Sequence, residues 1–146
     1  MPAPLVSPLM DDTELKSLLD SSRTVAIVGL STDPEKTSSK IAGILIDAGY
    51  DVIPVHPKAA EILGRTAYPT LGDIPVPVDI VDVFRPSEEG EGIARQAVAI
   101  GAKTLWLQLG IASAEARAIA EDAGLRYVED RCIGETTKRL GNRAAA

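Results

Sequence analysis

The sequence has few of the residues from which most catalytic and metal sites are built. Its 146 residues include one cysteine, Cys132, and one histidine, His56, and aromatic residues make up only 3%. A single cysteine can form no disulfide within the chain and no Cys-X-X-Cys metal site. With one histidine, a zinc site would have to rely on carboxylates, which is uncommon. We therefore expect no internal disulfide and no metal centre.

Positive charge is scarce as well. The chain has 15 Lys and Arg residues against 21 Asp and Glu, a net charge of -6, which argues against nucleic acid as a partner. Residues 1–12 have neither a cationic start nor a long apolar run, so they predict neither a signal peptide nor a membrane helix. We expect a cytoplasmic protein without a membrane partner, in which any phosphate is bound by backbone N–H groups and a few local cations.

The chain is rich in Val, Ile, Leu and Ala, and hydrophobic residues make up 45% of it. Apolar runs predict buried parallel strands at 24–28, 50–55, 78–84, 104–108 and 125–129. Helical patterns are predicted from about residue 12 to 21–23 and at 39–48, 88–100, 114–122 and 135–140, with a further helical turn at 59–63. We expect Asp11 or Asp12 to cap the first of these helices and Ser113 to cap the helix at 114–122. This alternation predicts an α/β fold: a Rossmann-like, doubly wound, mostly parallel sheet of about five strands with flanking helices. We assign a flexible lead-in to residues 1–10, one domain to 11–141 and a tail to 142–146.

In such a sheet the ligand lies at the carboxyl ends of the strands, so the turn after the first strand is the first place to look. It consists of Gly29, Leu30, Ser31 and Thr32. A glycine there lets the backbone approach a ligand closely, and the N-terminus of the next helix favours a phosphate. Ser39 adds a hydroxyl and Lys40 a cation. The alternative is that Gly29 only makes a tight turn and the hydroxyls only cap the helix.

The residues after the first two strands bear on which nucleotide could bind. The dinucleotide fingerprint G-x-G-x-x-G fails, because the turn has one glycine, Gly29. The second strand is followed by Pro57 and Lys58 rather than by the acid that would bind the ribose of NAD. These features argue against NAD and for a ligand with additional phosphate, such as coenzyme A (CoA). NADP stays open, and Lys58 could equally be an ordinary solvated lysine.

Three further segments follow predicted strands. The third strand ends in Val83, Phe84 and Arg85. Phe84 could lie beside a planar base, and Arg85 adds a cation for a phosphate. The alternative is that Phe84 is a core aromatic beside an arginine at a helix start. At the fourth strand, Gln108 is a polar end and Gly110 permits close approach. Cys132 follows the last strand beside Arg131. A lone thiol is more often inert than reactive, but this one lies at the predicted ligand edge, where a mixed disulfide with the CoA thiol is a hypothesis.

Together these segments resemble a known family. The resemblance is carried by Val25–Ser31, Val55–Lys58, Val83–Arg85, Trp106–Gly110 and Asp130–Cys132. In this order they are similar to the stand-alone CoA-binding domain proteins of bacteria and archaea, which look like the N-terminal domain of the succinyl-CoA synthetase α subunit. The resemblance extends from about residue 15 to about residue 140.

The resemblance implies a site and a function. It places CoA contacts at the first turn, at Lys58, at the Val83–Arg85 turn and near Gln108. The synthetase subunit carries its phosphorylated histidine in a second domain that has no counterpart here, so ligase activity of this chain alone is not expected. We therefore expect a protein that binds CoA or a CoA thioester without evident catalytic machinery. An NADP-dependent or acyl-CoA-handling enzyme, or a thiol-redox partner of CoA through Cys132, is the alternative. The sequence leaves a homo-oligomer open.

Overall fold

A computed structural model describes residues 10–140 of the chain. The predicted tail at 142–146 lies outside the described residues, as do residues 1–9 of the lead-in predicted at 1–10. Five helices are present: α1 (Asp12–Ser21), α2 (Thr37–Asp47), α3 (Gly90–Ala99), α4 (Ala114–Asp122) and α5 (Ile133–Arg139). The strands are β1 (Thr24–Val28), β2 (Asp51–Val55), β3 (Glu61–Ile62), β4 (Arg65–Thr66), β5 (Ile80–Val83), β6 (Thr104–Leu107) and β7 (Arg126–Val128).

Five of these strands form one parallel sheet in the order β2-β1-β5-β6-β7. The predicted α/β, doubly wound, mostly parallel sheet is therefore confirmed. The strand order reverses between β1 and β5, because the chain first goes from β1 to β2 on one side and then returns to continue on the other. That reversal is the topological switch point, where ligands of such sheets bind.

The two faces of the sheet are covered by different helices. What we call the first face packs against α1, α2 and α5, through residues such as Leu18, Leu45 and Ile133. The second face packs against α3 and α4, whose buried residues are mostly alanines such as Ala94 and Ala120. Successive strand residues alternate between the faces, as the period of a strand requires. Trp106 is fully buried on the first face.

Helix starts follow the capping residues that the sequence indicated. The Asp11 carboxylate accepts a hydrogen bond of 2.9 Å from the Glu14 N–H at the start of α1. The Ser113 hydroxyl accepts one of 3.1 Å from the Ala116 N–H at the start of α4. Such caps satisfy N–H groups that have no partner inside the helix.

The predicted helical turn at 59–63 is wrong. The segment instead forms one arm of a two-stranded hairpin, in which β3 pairs antiparallel with β4. Its turn is made by Leu63 and Gly64, both with positive φ. The chain beyond the hairpin returns to the sheet, where Tyr68 pairs with Val55 at the edge of β2. This long-range pairing outweighs the local helix preference of the Ala59–Leu63 segment.

Candidate functional site

A cavity of about 550 Å³ opens at the switch point between β1 and β5. It lies toward the second face, because Val28, Val55 and Ile93 from its lining also belong to the core of that face. Four chain segments form its walls: the turn after β1, the loop after β2, the turn from β5 into α3 with the adjoining part of α3, and the segment at 69–70. The lining residues are Val28, Gly29, Leu30, Ser31, Val55, His56, Pro57, Pro69, Thr70, Arg85, Glu89, Ile93 and Gln96.

Gly29 forms part of the cavity wall and is held in a conformation that suits glycine, with φ of 93°. A Cβ atom at this position would lie 2.9 Å from the backbone oxygen of Phe84 and 2.9 Å from Cδ of Arg85. The close contact between the end of β1 and the turn after β5 therefore requires a glycine at position 29, whether or not a ligand binds. The tight-turn interpretation accounts for this glycine, and the contact also brings Arg85 against the wall of the cavity.

The hydroxyl groups after Gly29 organise the loop itself. The Ser31 N–H donates to Oγ of Ser38 at 3.1 Å, and Oγ of Ser39 donates to the backbone oxygens of Ser31 and Asp33 at 3.1 and 2.8 Å. Ser39 is buried by these contacts. Of the predicted residues in this segment, Gly29, Leu30 and Ser31 line the cavity, whereas Thr32, Ser39 and Lys40 do not.

The loop after β2 is shaped by His56. Its ring atom Nδ1 accepts hydrogen bonds from the backbone N–H groups of Lys58 and Ala59, at 3.0 and 2.9 Å. His56 itself is anchored by its own N–H, which donates to the Tyr68 oxygen at 2.9 Å. His56 and Pro57 line the cavity, whereas the exposed side chain of Lys58 lies outside the lining.

Two opposite charges face each other in the third wall. Arg85 donates from Nε and Nη2 to the two carboxylate oxygens of Glu89, at 3.1 and 2.6 Å. This paired geometry is the one that a guanidinium also adopts with phosphate. The hydrogen bonds from Arg85 lower the pKa of Glu89, so that residue is ionised near neutral pH. Arg85 and Glu89 are about half exposed, so their pairing is within reach of solvent and of ligands.

Several predicted site residues lie outside the cavity lining. Gln108 is buried, and its Oε1 accepts a hydrogen bond of 2.9 Å from the Ile133 N–H at the start of α5. Phe84 packs against the core of the first face, and Val83 is buried in the core of the second. Gly110 is exposed and has open space where a side chain would be.

Cys132 lies at the start of α5, also on the first face. Its Sγ accepts a weak hydrogen bond of 3.4 Å from the Glu135 N–H. It borders a shallow depression with Ile44, Lys138 and Arg139, separate from the cavity at the switch point. Among residues 10–140, no cluster of His, Cys, Asp and Glu could hold a metal ion, and no helix is long and apolar enough to cross a membrane.

Asp82 is an unexpected residue in the centre of the sheet. It lies in β5 between Ile27 of β1 and Trp106 of β6, and it is completely buried. Within the described part of the chain, neither carboxylate oxygen has a hydrogen-bond partner. Burial raises the pKa of Asp82 well above its ordinary value, because an unpaired charge is costly in an apolar core.

Sequence reasoning missed part of the cavity lining. Glu89, Ile93 and Gln96 lie in or next to α3, on the side facing the turn after β1. Their spacing of three to four residues is the signal of one helix face and could have been extended from Arg85. Pro69 and Thr70 carried no such signal, because their position depends on the hairpin that the sequence did not reveal.

Comparison with known proteins places the chain in a family. The family model described as a CoA binding domain matches residues 23–137. The chain belongs to this family. The match covers most of the chain, including all five strands of the main sheet, and confirms the resemblance found in the strand-end segments.

Individual relatives agree with this assignment. The uncharacterized protein YneT of Bacillus subtilis is 39% identical over 120 residues, which are 82% of this chain and 89% of that protein. A hypothetical protein of Pyrococcus horikoshii has a solved structure that is 34% identical, with a TM-score of 0.87, covering 94% of this chain and 99% of that one.

A larger relative is an enzyme. The ADP-forming acetate–CoA ligase I of Archaeoglobus fulgidus is 31% identical over 124 residues, or 77% of this chain, but these are 18% of the ligase. The chain therefore corresponds to one region of that protein.

Proposed function

We propose that this protein binds CoA or a CoA thioester in the cavity at the switch point and catalyses no reaction by itself. The observation that carries the proposal is the position of this cavity between β1 and β5 in a chain of the CoA-binding family. Its volume of about 550 Å³ is within the range of small-molecule sites. CoA is long, so part of it would extend beyond the cavity.

The lining offers groups suited to the phosphates of CoA. Arg85 is the cation of the lining, and its fork can bind two phosphate oxygens at once. Helix α2 starts at Thr37 without an acid in its first turn, so its N-terminus adds a favourable field for an anion. Lys40 and Lys58 are exposed near these segments and could approach the outer phosphates of a long ligand. Val28, Val55 and Ile93 supply apolar surface for the remainder.

We infer the absence of catalysis from the surroundings of the two candidate reactive groups, Cys132 and His56. Cys132 borders a different depression, and its Sγ accepts a hydrogen bond from the Glu135 N–H. His56 lines the cavity, but its Nδ1 is engaged by two backbone N–H groups of its own loop. An enzyme needs a nucleophile or base that is free to face its substrate.

Calorimetric titration tests the proposal, with CoA, acetyl-CoA, NAD and NADP as separate ligands. We expect binding by the two CoA compounds and none by NAD or NADP. Arg85→Ala should weaken CoA binding by roughly tenfold or more, because a charge-assisted contact to phosphate is lost. Arg95→Ala is the matched control: Arg95 forms a similar ion pair with Glu91 but does not line the cavity.

Two results would contradict the proposal. Binding of NADP without binding of CoA would mean that the ligand is wrong. Tight CoA binding that Arg85→Ala leaves intact would mean that the ligand lies elsewhere on the molecule.

A further inference from the structure

His56 makes an unusual set of contacts for a histidine in a ligand cavity. Its Nδ1 accepts hydrogen bonds from two consecutive backbone N–H groups, those of Lys58 and Ala59. An imidazole nitrogen can accept only when it carries no proton. The two donors therefore fix the proton of the neutral ring at Nε2, the far nitrogen.

The same contacts give His56 control over the shape of the loop. The side chain folds back on the two following residues, as Asn and Asp side chains do in turns. The loop's other end is held by the hydrogen bond between the His56 N–H and the Tyr68 oxygen. Residues 56–59 thus form a turn that depends on one unprotonated nitrogen, and Pro57 in this turn lines the cavity.

Nε2–H is the remaining polar group of the ring. In the described part of the chain it donates to no protein atom. His56 itself borders the cavity. A donor without a protein partner at a cavity wall is suited to an uncharged acceptor oxygen of a ligand, such as a ribose or amide oxygen.

From these contacts we propose that His56 is a positioning residue that works only as a neutral imidazole. Its Nδ1 holds the 56–59 turn in place, and its Nε2–H donates to an oxygen of the bound ligand. This inference rests on the proposed binding of CoA in the cavity. It also makes ligand binding at that site sensitive to pH. When acid protonates Nδ1, the new N–H of the ring repels the N–H groups of Lys58 and Ala59. The turn then opens and ligand binding weakens.

The charges around His56 are few. Lys58 lies in the same turn and is exposed, and Arg85 and Glu89 line the cavity from the turn that leads into α3. Arg85 and Glu89 pair with each other, so they largely cancel. The turn after β1, the segment at 69–70 and the facing residues of α3 contribute no charged side chain to the lining. Among the described residues of the lining, Glu89 is the one acid, and its pairing with Arg85 leaves no unpaired carboxylate there to stabilise a protonated ring.

Two variants separate the two nitrogens. His56→Asn keeps an acceptor for the Lys58 and Ala59 N–H groups but cannot titrate in this range, and it lacks the Nε2–H donor. His56→Ala loses both functions. At pH 7.5 we expect CoA affinity to fall a few-fold in His56→Asn and roughly tenfold or more in His56→Ala, following the number of hydrogen bonds lost.

The pH profile is the decisive measurement. Between pH 7.5 and pH 5.5 the CoA affinity of the wild-type protein should fall by about tenfold more than that of His56→Asn, because only the wild type can protonate its ring. Since both proteins bind the same ligand, titration of the CoA phosphates cancels in this comparison. Identical pH profiles, or a His56→Ala protein that binds as tightly as wild type, would overturn the proposal.

The tautomer can be observed without any ligand. Because His56 is the sole histidine in the sequence, its ring ¹⁵N signals are unambiguous, and we expect a protonated Nε2 and a bare Nδ1 at pH 7.5. A proton on Nδ1 would overturn the proposal whatever the affinity. Failure of the wild-type protein to bind CoA at pH 7.5 would instead contradict the proposed function itself, which keeps the two failures distinct.

Discussion

The two faces of the sheet differ in the polar groups that they bury. The first face contains Asp82, Gln108 and Thr137 within a core of large residues such as Trp106. The second face is covered by aliphatic residues such as Ile93, Ala94 and Leu107, and it opens at its carboxyl edge into the cavity. On the first face, Gln108 has an architectural role, because its Oε1 fixes the start of α5. On the second face, Ser113 caps α4, whereas Arg85 and Glu89 at its carboxyl edge face the cavity.

This difference refines the rule that ligands bind at the carboxyl ends of strands. Adjacent residues at a strand end point to opposite faces. Phe84 therefore packs toward the first face while its neighbour Arg85 lines the cavity. At a strand end, the face on which a residue lies decides whether it contributes to the cavity.

The largest effect is expected at Gly29, where the β1 turn touches the β5 turn. Gly29→Ala adds a Cβ atom 2.9 Å from the Phe84 oxygen to a residue with φ of 93°. Strain and overlap together should lower the free energy of unfolding by about 3 kcal/mol. Urea denaturation measures the loss.

Gly110→Ala is the matched control for that substitution. Gly110 has a similar φ of 84°, but nothing lies within 4 Å of the added atom. We expect a loss of about 1 kcal/mol from backbone strain alone. Equal losses in the two variants would show that the β5 turn moves aside, and that the two walls of the cavity are not rigidly joined.

An effect of intermediate size is expected at Asp82 on the first face. Its pKa is raised by burial, so above pH ~4 the unfolded carboxyl ionises while the folded one keeps its proton. The free energy of unfolding therefore falls as the pH rises, until the raised pKa is passed. Asp82→Asn removes this dependence and should stabilise the protein at pH 7 by about 1–2 kcal/mol, with the gain vanishing near pH 4.

Asp79→Asn provides the contrast, since Asp79 accepts hydrogen bonds from the Arg23 and Thr24 N–H groups at 2.7 and 3.0 Å. That variant should be less stable than wild type at pH 7. Thermal unfolding across the pH range distinguishes the two carboxylates. A stabilising effect of Asp82→Asn that is the same at pH 4 and pH 7 would mean that Asp82 is ionised in the folded protein.

The smallest effect is expected at Glu89, beside the cavity. Its carboxylate occupies the fork of Arg85 and so competes with a phosphate for the same donors. Glu89→Gln should tighten CoA binding by about threefold, since exposed ion pairs are weak competitors. Glu91→Gln removes the same charge two residues along the chain, in the first turn of α3, without touching the lining and should leave affinity nearly unchanged. Weaker binding by Glu89→Gln would instead indicate that Glu89 orients Arg85 for the ligand.

Much of the fold followed from the sequence because strand and helix periods are local. The apolar run Thr24–Val28 and the caps Asp11 and Ser113 were sufficient to locate their elements. The hairpin was missed because its formation depends on Tyr68 reaching the edge of β2, a contact far along the chain. The contacts of His56 were missed for a similar reason. A single histidine has no spacing pattern, and the sequence does not reveal which ring nitrogen accepts hydrogen bonds from the backbone.

The pairing of Tyr68 with the end of β2 also bears on self-association. β2 is an edge strand, and its outward carbonyl at Pro54 is taken by the Tyr68 N–H at 3.0 Å. Proline has no N–H to offer an incoming strand, which further blunts this edge. An added strand would have to displace Tyr68, and with it the hydrogen bond that anchors His56. Aggregation through the β2 edge would thus disrupt the part of the cavity wall that contains His56. A ligand that holds this wall in place should therefore also keep Tyr68 paired with β2 and oppose aggregation.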